Sequence, residues 1–263
     1  MGATGAMRTL RTIVAGAVAL PLTLGLGGVA FAQAASTPAA KPDPDALAAL
    51  YKMGDALRSM GAFSLSADVT TDTVLESGQK LQTEGTLKIE ALRPDKFKIS
   101  VDTNHQAREF YYDGKSLTLF APKVGYYASV PAPPTIRATL EAAKDKYGIE
   151  IPLADLFSLG TDPSLVARIK EGFDAGPDVV AGKNCQHYAF RQEAVDWEVW
   201  IRSEGPALPC KIVITTVTDP AMPQYAATMK WQGGSPTADT FTFTPPANAH
   251  RITVADRSAP AKK

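Results

Sequence analysis

Period-two alternation between Leu92 and Lys123, LRPDKFKISVDTNHQAREFYYDGKSLTLFAPK, constrains this chain more than any other feature. Phe97, Ile99 and Val101 alternate with charged or small residues, then come Phe110 and Tyr112, then Leu117 and Leu119. Alternation over such short runs marks strands with one buried face. Asp113-Gly114 separates the last two runs and predicts a two-residue type I′ turn, in which both central residues need positive φ. Upstream, Phe63, Leu65, Ala67 and Val69 alternate with Ser64, Ser66, Asp68 and Thr70. Leu81, Thr83, Leu87 and Ile89 repeat the pattern beyond Ser77-Gly78, and Tyr126–Val130 adds one more strand. Short connections make such neighbours antiparallel.

The character changes at Pro131-Ala132-Pro133-Pro134. Residues 135–147 predict a helix with Ile136, Leu140, Ala143 and Tyr147 on one side and Gly148 closing it. A short apolar turn follows from Leu153 to Phe157, flanked by Ile151 and Leu159. Asp162-Pro163 opens another helix, with Leu165, Val166 and Ile169 inside and Gly172 at its end. Proline and glycine punctuation makes these separate, movable pieces; an ordinary packed helical layer is the other reading, and the pattern leaves both open. A second strand block then runs from Asp178 to Thr244. It includes Cys185–Phe190, Trp197–Arg202, Ile212 and Ile214, Ala227–Trp231, and Phe241 with Phe243. Both blocks together give eleven to twelve strands, and open sheets of that width curl.

Ahead of the strands, Asp43-Pro44 predicts a helix start, the aspartate as N-cap and the proline at a position whose N–H is unneeded. Leu47, Leu50, Tyr51, Leu57 and Met60 form its apolar stripe, and Gly61 its stop. Earlier still, Arg8 and Arg11 precede an apolar run from Ile13 to Val29, ending at Ala30-Phe31-Ala32, a small-x-small cleavage site. The run is slightly short of the ~20 residues a spanning helix needs, so cleavage is expected over an anchor. No cysteine follows the site to take a lipid. The expected organisation is a signal peptide over 1–32, a flexible leader over 33–44, one domain over 45–250 and a disordered tail over 251–263. Loss of 1–32 removes two arginines and no acids, leaving 25 bases against 27 acids. That near-neutral balance gives no electrostatic footprint for nucleic acid.

Arg93-Pro94, Phe97, Asp113-Gly114-Lys115, Leu117, Phe120 and Pro122 resemble the pattern of the LolA/LolB-like periplasmic lipoprotein carriers. The whole mature chain resembles most a branch of that superfamily known as predicted periplasmic proteins. The resemblance implies a mainly β (α+β) fold: an open antiparallel half-barrel with an N-terminal helix and a helical lid between the two strand blocks, around an apolar cavity. It also implies that Arg93, as the arginine of RPxxF, bonds to lid carbonyls, holds the closed state and is needed for release of cargo. Five fixed donors suit a guanidinium to bridging carbonyls; the plain alternative is a surface arginine beside a turn.

Aromatic lining of such a cavity is expected from Phe97, Phe110, Tyr112, Tyr127 and Trp200, and the lid side from Leu140, Leu156 and Phe157. Which parity of each strand faces inward stays open, because a one-residue slip reverses every side chain. Cys185 and Cys210 are the only cysteines, and a disulfide is natural in an oxidising compartment. In a simple meander their strands lie two spacings, ~9.5 Å, apart, whereas a bridge needs Cα atoms within ~7 Å; Pro209 could distort the third strand enough. His105, His187 and His250 are widely spaced and fit no metal pattern, and there is no GxSxG or phosphate loop. No catalytic residue, metal or cofactor is expected. The reading is a soluble periplasmic carrier for a lipid, an acylated lipoprotein or another hydrophobic ligand, served by a membrane-bound partner that loads or unloads it. The alternative is a periplasmic sensor or adaptor that binds a protein through the same fold.

Overall fold

A computed structural model describes residues 41–158, 163–233 and 236–257. The signal peptide, most of the leader, Leu159, Asp162 and the last residues of the tail lie outside the described residues. Within them, α1 (Pro44–Ser59) precedes β1 (Ala62–Val74), β2 (Lys80–Leu92), β3 (Lys96–Thr103), β4 (Ala107–Tyr112), β5 (Ser116–Ala121) and β6 (Tyr126–Pro131). An insert follows: α2 (Ile136–Tyr147), a 3-10 turn (Ala154–Phe157) and α3 (Pro163–Ala167). Then come β7 (Glu171–Val180), β8 (Lys183–Arg191), β9 (Val195–Arg202), β10 (Pro209–Thr216) and β11 (Gln224–Gln232), a 3-10 turn (Ala238–Phe241), and β12 (His250–Arg251).

The twelve strands make one sheet in the order β12-β6-β5-β4-β3-β2-β1-β11-β10-β9-β8-β7. Every pairing is antiparallel except the short parallel contact of β12 with β6. Two meanders are thus stitched together by β1 and β11, with Leu65 opposite Trp231 and Ala67 opposite Met229. The two ends of the sheet do not meet, so this is the open half-barrel, with its helical insert between the strand blocks.

Register settles which side chains face the core. Leu65 pairs with Ile89, Ile89 with Ile99, Ile99 with Phe110 and Phe110 with Leu119. These paired positions, odd-numbered except on β4, form the inner face, and α1 and the insert cover it in one apolar cluster. From α1 come Ala46, Leu50, Met53 and Leu57, one helical face at spacings of three and four. Tyr51, expected in that stripe, stands 48 % exposed, because its position is a quarter-turn off the buried line. Asp43 caps the helix by accepting from the Asp45 N–H at 2.9 Å.

Four local expectations are corrected. The β4–β5 connection is not a type I′ turn: Asp113 does not take positive φ, and its carboxylate accepts from the N–H groups of Lys115 and Ser116 at 2.9 and 2.8 Å. Gly114 alone has positive φ, at 93°, and a Cβ there would meet the Asp95 carboxylate at 2.8 Å. The helix begun at Pro163 ends at Ala167. Gly172, expected as its stop, lies in β7 instead, where the Phe190 ring occupies the space a side chain would need. Phe241 and Phe243 form no strand; Phe241 ends a 3-10 turn, and Phe243 packs on Tyr111, Phe120 and Tyr127 on the outer face.

Cys185 and Cys210 are bonded, with Cα atoms 6.9 Å apart. The meander is as expected, β8 and β10 flanking β9, but the register of β10 shifts between Pro209 and Lys211. That irregularity brings Cys210 into an outer-face cluster with Val180, Cys185 and Trp200, which a regular strand would not allow. At the other edge, His250 and Arg251 pair with Tyr126 and Tyr127, and the Arg257 N–H donates to the Lys146 carbonyl at 2.7 Å, tying the following segment to the end of α2.

Candidate functional site

The RPxxF residues sit at the junction of α1, the sheet and the insert. The Arg93 N–H donates to the Gly61 carbonyl at 2.8 Å, and the Pro94 carbonyl accepts from the Ile136 N–H at 3.0 Å, so the motif's backbone joins the end of α1 to the start of α2. Phe97 is wholly buried below them. The Arg93 guanidinium donates to the Leu57 carbonyl, at a long 3.5 Å, and lies 5.8 Å from the Phe157 ring centre. Its Nε is buried without a partner, and burial lowers its pKa. Among the described residues its contact with the lid is therefore through an aromatic face and its carbonyl partner belongs to α1, in place of the lid carbonyls that the carrier resemblance implies.

Phe157 fills the inner face like a plug. Its ring stands 5.6 Å from Phe63 and 6.0 Å from Phe97, and only 2 % of the residue is exposed. Leu156 beside it and Leu140 on α2 are also buried. Tyr112 is buried with Phe97, 5.4 Å from it, and its hydroxyl donates to the Pro133 carbonyl at the entrance to α2. Burial raises the pKa of this hydroxyl. Leu153, just ahead of the 3-10 turn, has φ of 56°, a left-handed conformation that costs a leucine about 1–2 kcal/mol.

Phe97, Phe110, Tyr112, Leu140, Leu156 and Phe157 are thus brought together on the inner face, with Arg93 at its edge. Tyr127 and Trp200 are not, and their expected place in the lining is corrected. Their neighbours Ala128, Val199 and Ile201 take the inward positions, so the period of two turns both rings outward. Tyr127 lies under Phe243. Trp200 stacks on His187 at 3.9 Å and donates its indole N–H to Asp178 at 2.7 Å. That bond, with a second from the Val179 N–H, lowers the Asp178 pKa.

A pocket of about 190 Å³ opens on the inner face beyond the plug. Val69, Leu87, Val101 and Phe110 form its apolar side; Arg108, Glu150 and Tyr225 contribute its polar groups, with threonines between. The Tyr225 hydroxyl is buried without a partner, and burial pushes its pKa up to about 12. None of Arg108, Glu150 or Tyr225 was expected from the sequence; extending the alternation two residues back from Phe110 and from Ala227 would have found Arg108 and Tyr225. A roomier depression, about 910 Å³, is polar. Lys123 is paired with Asp102 at 2.9 Å and Asp68 with Lys230 at 2.8 Å; the smaller pocket, floored by the core residues Leu87 and Phe110, is the better candidate for an apolar ligand. No group of three or more metal-ligating side chains converges among the described residues.

Arg93→Leu is expected to change stability by less than about 1 kcal/mol, because the guanidinium is only half-buried and the cost of its unpartnered Nε is offset by its weak bond to the Leu57 carbonyl. Urea unfolding measures this. A larger loss of stability would mean instead that the guanidinium holds the closed state together.

This architecture defines a class: an open β half-barrel whose own insert plugs its inner face. Residues 46–255 match the family described as "Predicted periplasmic protein (DUF2092)", and the chain belongs to that family. No curated protein matches it in sequence. Among solved structures it is similar to the lipoprotein LppX of Mycobacterium tuberculosis, at 14 % identity over 74 % of this chain and 98 % of that one, with a TM-score of 0.46. It is also similar to LprF from Mycobacterium bovis, at 16 % identity over 80 % and 100 %, with a TM-score of 0.45. A third is a LolA superfamily protein from Nitrosomonas europaea, at 9 % identity over 75 % and 97 %, with a TM-score of 0.32.

Proposed function

We propose that this chain is a periplasmic, non-catalytic binding protein that shields the apolar part of a lipid-like ligand between the inner face of its sheet and the insert. The observation that carries this reading is the pocket whose floor of Val69, Leu87, Val101 and Phe110 continues into the core that Phe157 plugs. Each methylene moved from water onto such a surface contributes about 0.8 kcal/mol. At about 190 Å³ the pocket is smaller than the ~300–1,000 Å³ of ordinary ligand sites. It holds the end of a chain, and a full acyl chain enters only as Phe157 withdraws. The structure is on this reading the closed state, and Arg93 sets how readily the plug lifts. A free amphiphile or an acylated lipoprotein fits the same floor, with a membrane-bound partner to deliver or collect it.

Native mass spectrometry of protein released gently from its own cell envelope, followed by organic extraction, tests the proposal. A co-purifying mass in the lipid range, lost on Phe157→Asp in folded protein, supports it. A bare polypeptide mass across repeated preparations, together with no uptake of added lipid, counts against it.

A further inference from the structure

The pocket beyond the plug carries two charges that do not neutralise each other. Arg108, two residues before Phe110 on β4, and Glu150, in the stretch between α2 and the 3-10 turn, line the same opening. No salt bridge joins them, and neither has another ion pair or side-chain hydrogen bond among the described residues. Elsewhere on the molecule exposed charges on neighbouring strands do find each other, as with Lys230 and Asp68 or Arg191 and Asp196. The rest of the rim can only hydrogen-bond: Thr71, Thr73 and Thr83 have no side-chain partner among the described residues, and the Tyr225 hydroxyl is buried without one. The threonines face solvent, but an unmet buried donor such as the Tyr225 hydroxyl is rare and calls for a partner.

We propose that this rim binds a zwitterionic head group: an anionic phosphate or carboxylate on Arg108, a cationic ammonium on Glu150, and the attached chain on Val69, Leu87, Val101 and Phe110. The inference rests on the binding reading above and specifies its ligand class. A guanidinium gives a phosphate or carboxylate a pair of parallel donors, and a carboxylate gives an ammonium its acceptor. The Tyr225 hydroxyl, protonated at physiological pH, donates to the anionic group after a small shift of its ring. Arg108 and Glu150 are both exposed, so a ligand with only one sign of charge would leave the opposite rim charge to solvent and make one charged contact in place of two.

Equilibrium titration by calorimetry, below micelle-forming concentrations, distinguishes the outcomes. The probes are dodecylphosphocholine, dodecyl phosphate, dodecyltrimethylammonium and dodecanol, so that only the head changes. The zwitterion is expected to bind about tenfold more tightly than any of the other three, as one charged hydrogen bond implies. Arg108→Gln and Glu150→Gln should each remove about that factor for the zwitterion, and Tyr225→Phe a smaller part. Arg108→Gln should leave dodecanol affinity unchanged, which separates loss of head recognition from loss of fold. Equal binding of all four probes overturns the head-group assignment while leaving apolar binding in place. Tightest binding by dodecyl phosphate or dodecyltrimethylammonium alone overturns the zwitterion. Binding of none, by wild type and by a plug-opened Phe157→Ala variant, overturns the binding reading itself.

Discussion

Replacing Phe97 by alanine is expected to destabilise the fold by about 3–5 kcal/mol, the range for deleting a buried phenyl ring from a packed core. Phe97 is 0 % exposed. It stands opposite Ala91 on β2 and Tyr112 on β4, so its ring spans three strands, and it meets Phe157 from the insert above. The cavity would open where α1, the sheet and the insert converge, and Ala91 beside it is too small to fill the space. Urea denaturation measures the loss. Val101→Ala, at the half-buried rim of the pocket, is the comparison and should cost no more than about 1.5 kcal/mol. A cost below about 1 kcal/mol for Phe97→Ala would show that the core is not organised around this residue.

Replacing Cys185 and Cys210 together by alanine is expected to cost about 2–4 kcal/mol, because the bridge spans 25 residues and restricts the unfolded chain. The cysteines sit on the outer face with Val180 and Trp200, away from the inner-face pocket, so ligand affinity should be unchanged at temperatures where the variant stays folded. The two readouts separate a structural clamp from a part of the site. Weakened ligand binding in a variant of unchanged stability would place the bridge in the site and contradict this assignment.

The strands were legible because alternation survives wherever one face is buried. Phe97-Ile99-Val101 and Phe110-Tyr112 could be read directly, and their family pattern pointed to an open half-barrel with a lid. The facing of isolated rings was not legible. Tyr127 and Trp200 sit in strands with apolar residues of both parities, and the outer face of this sheet is itself partly covered, by Phe243 and by the disulfide cluster. A covered outer face gives its rings the composition of a core. Single 3-10 turns carry no period, which is why Phe241 and Phe243 resembled a strand. Gly172 resembled a helix stop because a glycine required by the approach of Phe190 leaves the same letter as one required by a left-handed cap. Arg108 and Tyr225 escaped for a related reason: a polar residue at an inward position breaks the alternation that would have placed it.

The central claim is that an apolar chain enters the inner face beneath the insert. The most direct measurement is photolabelling by a dodecyl amphiphile carrying a diazirine near the end of its chain, followed by peptide mapping. The account predicts adducts on the inward residues Val69, Leu87, Val101 and Phe110, extending to Phe97 and Phe157 as the plug lifts, and competed away by unlabelled ligand. Labelling spread over exposed apolar side chains such as Phe173, Val179 and Leu81, with the inner face unmarked and no effect of competitor, would contradict it.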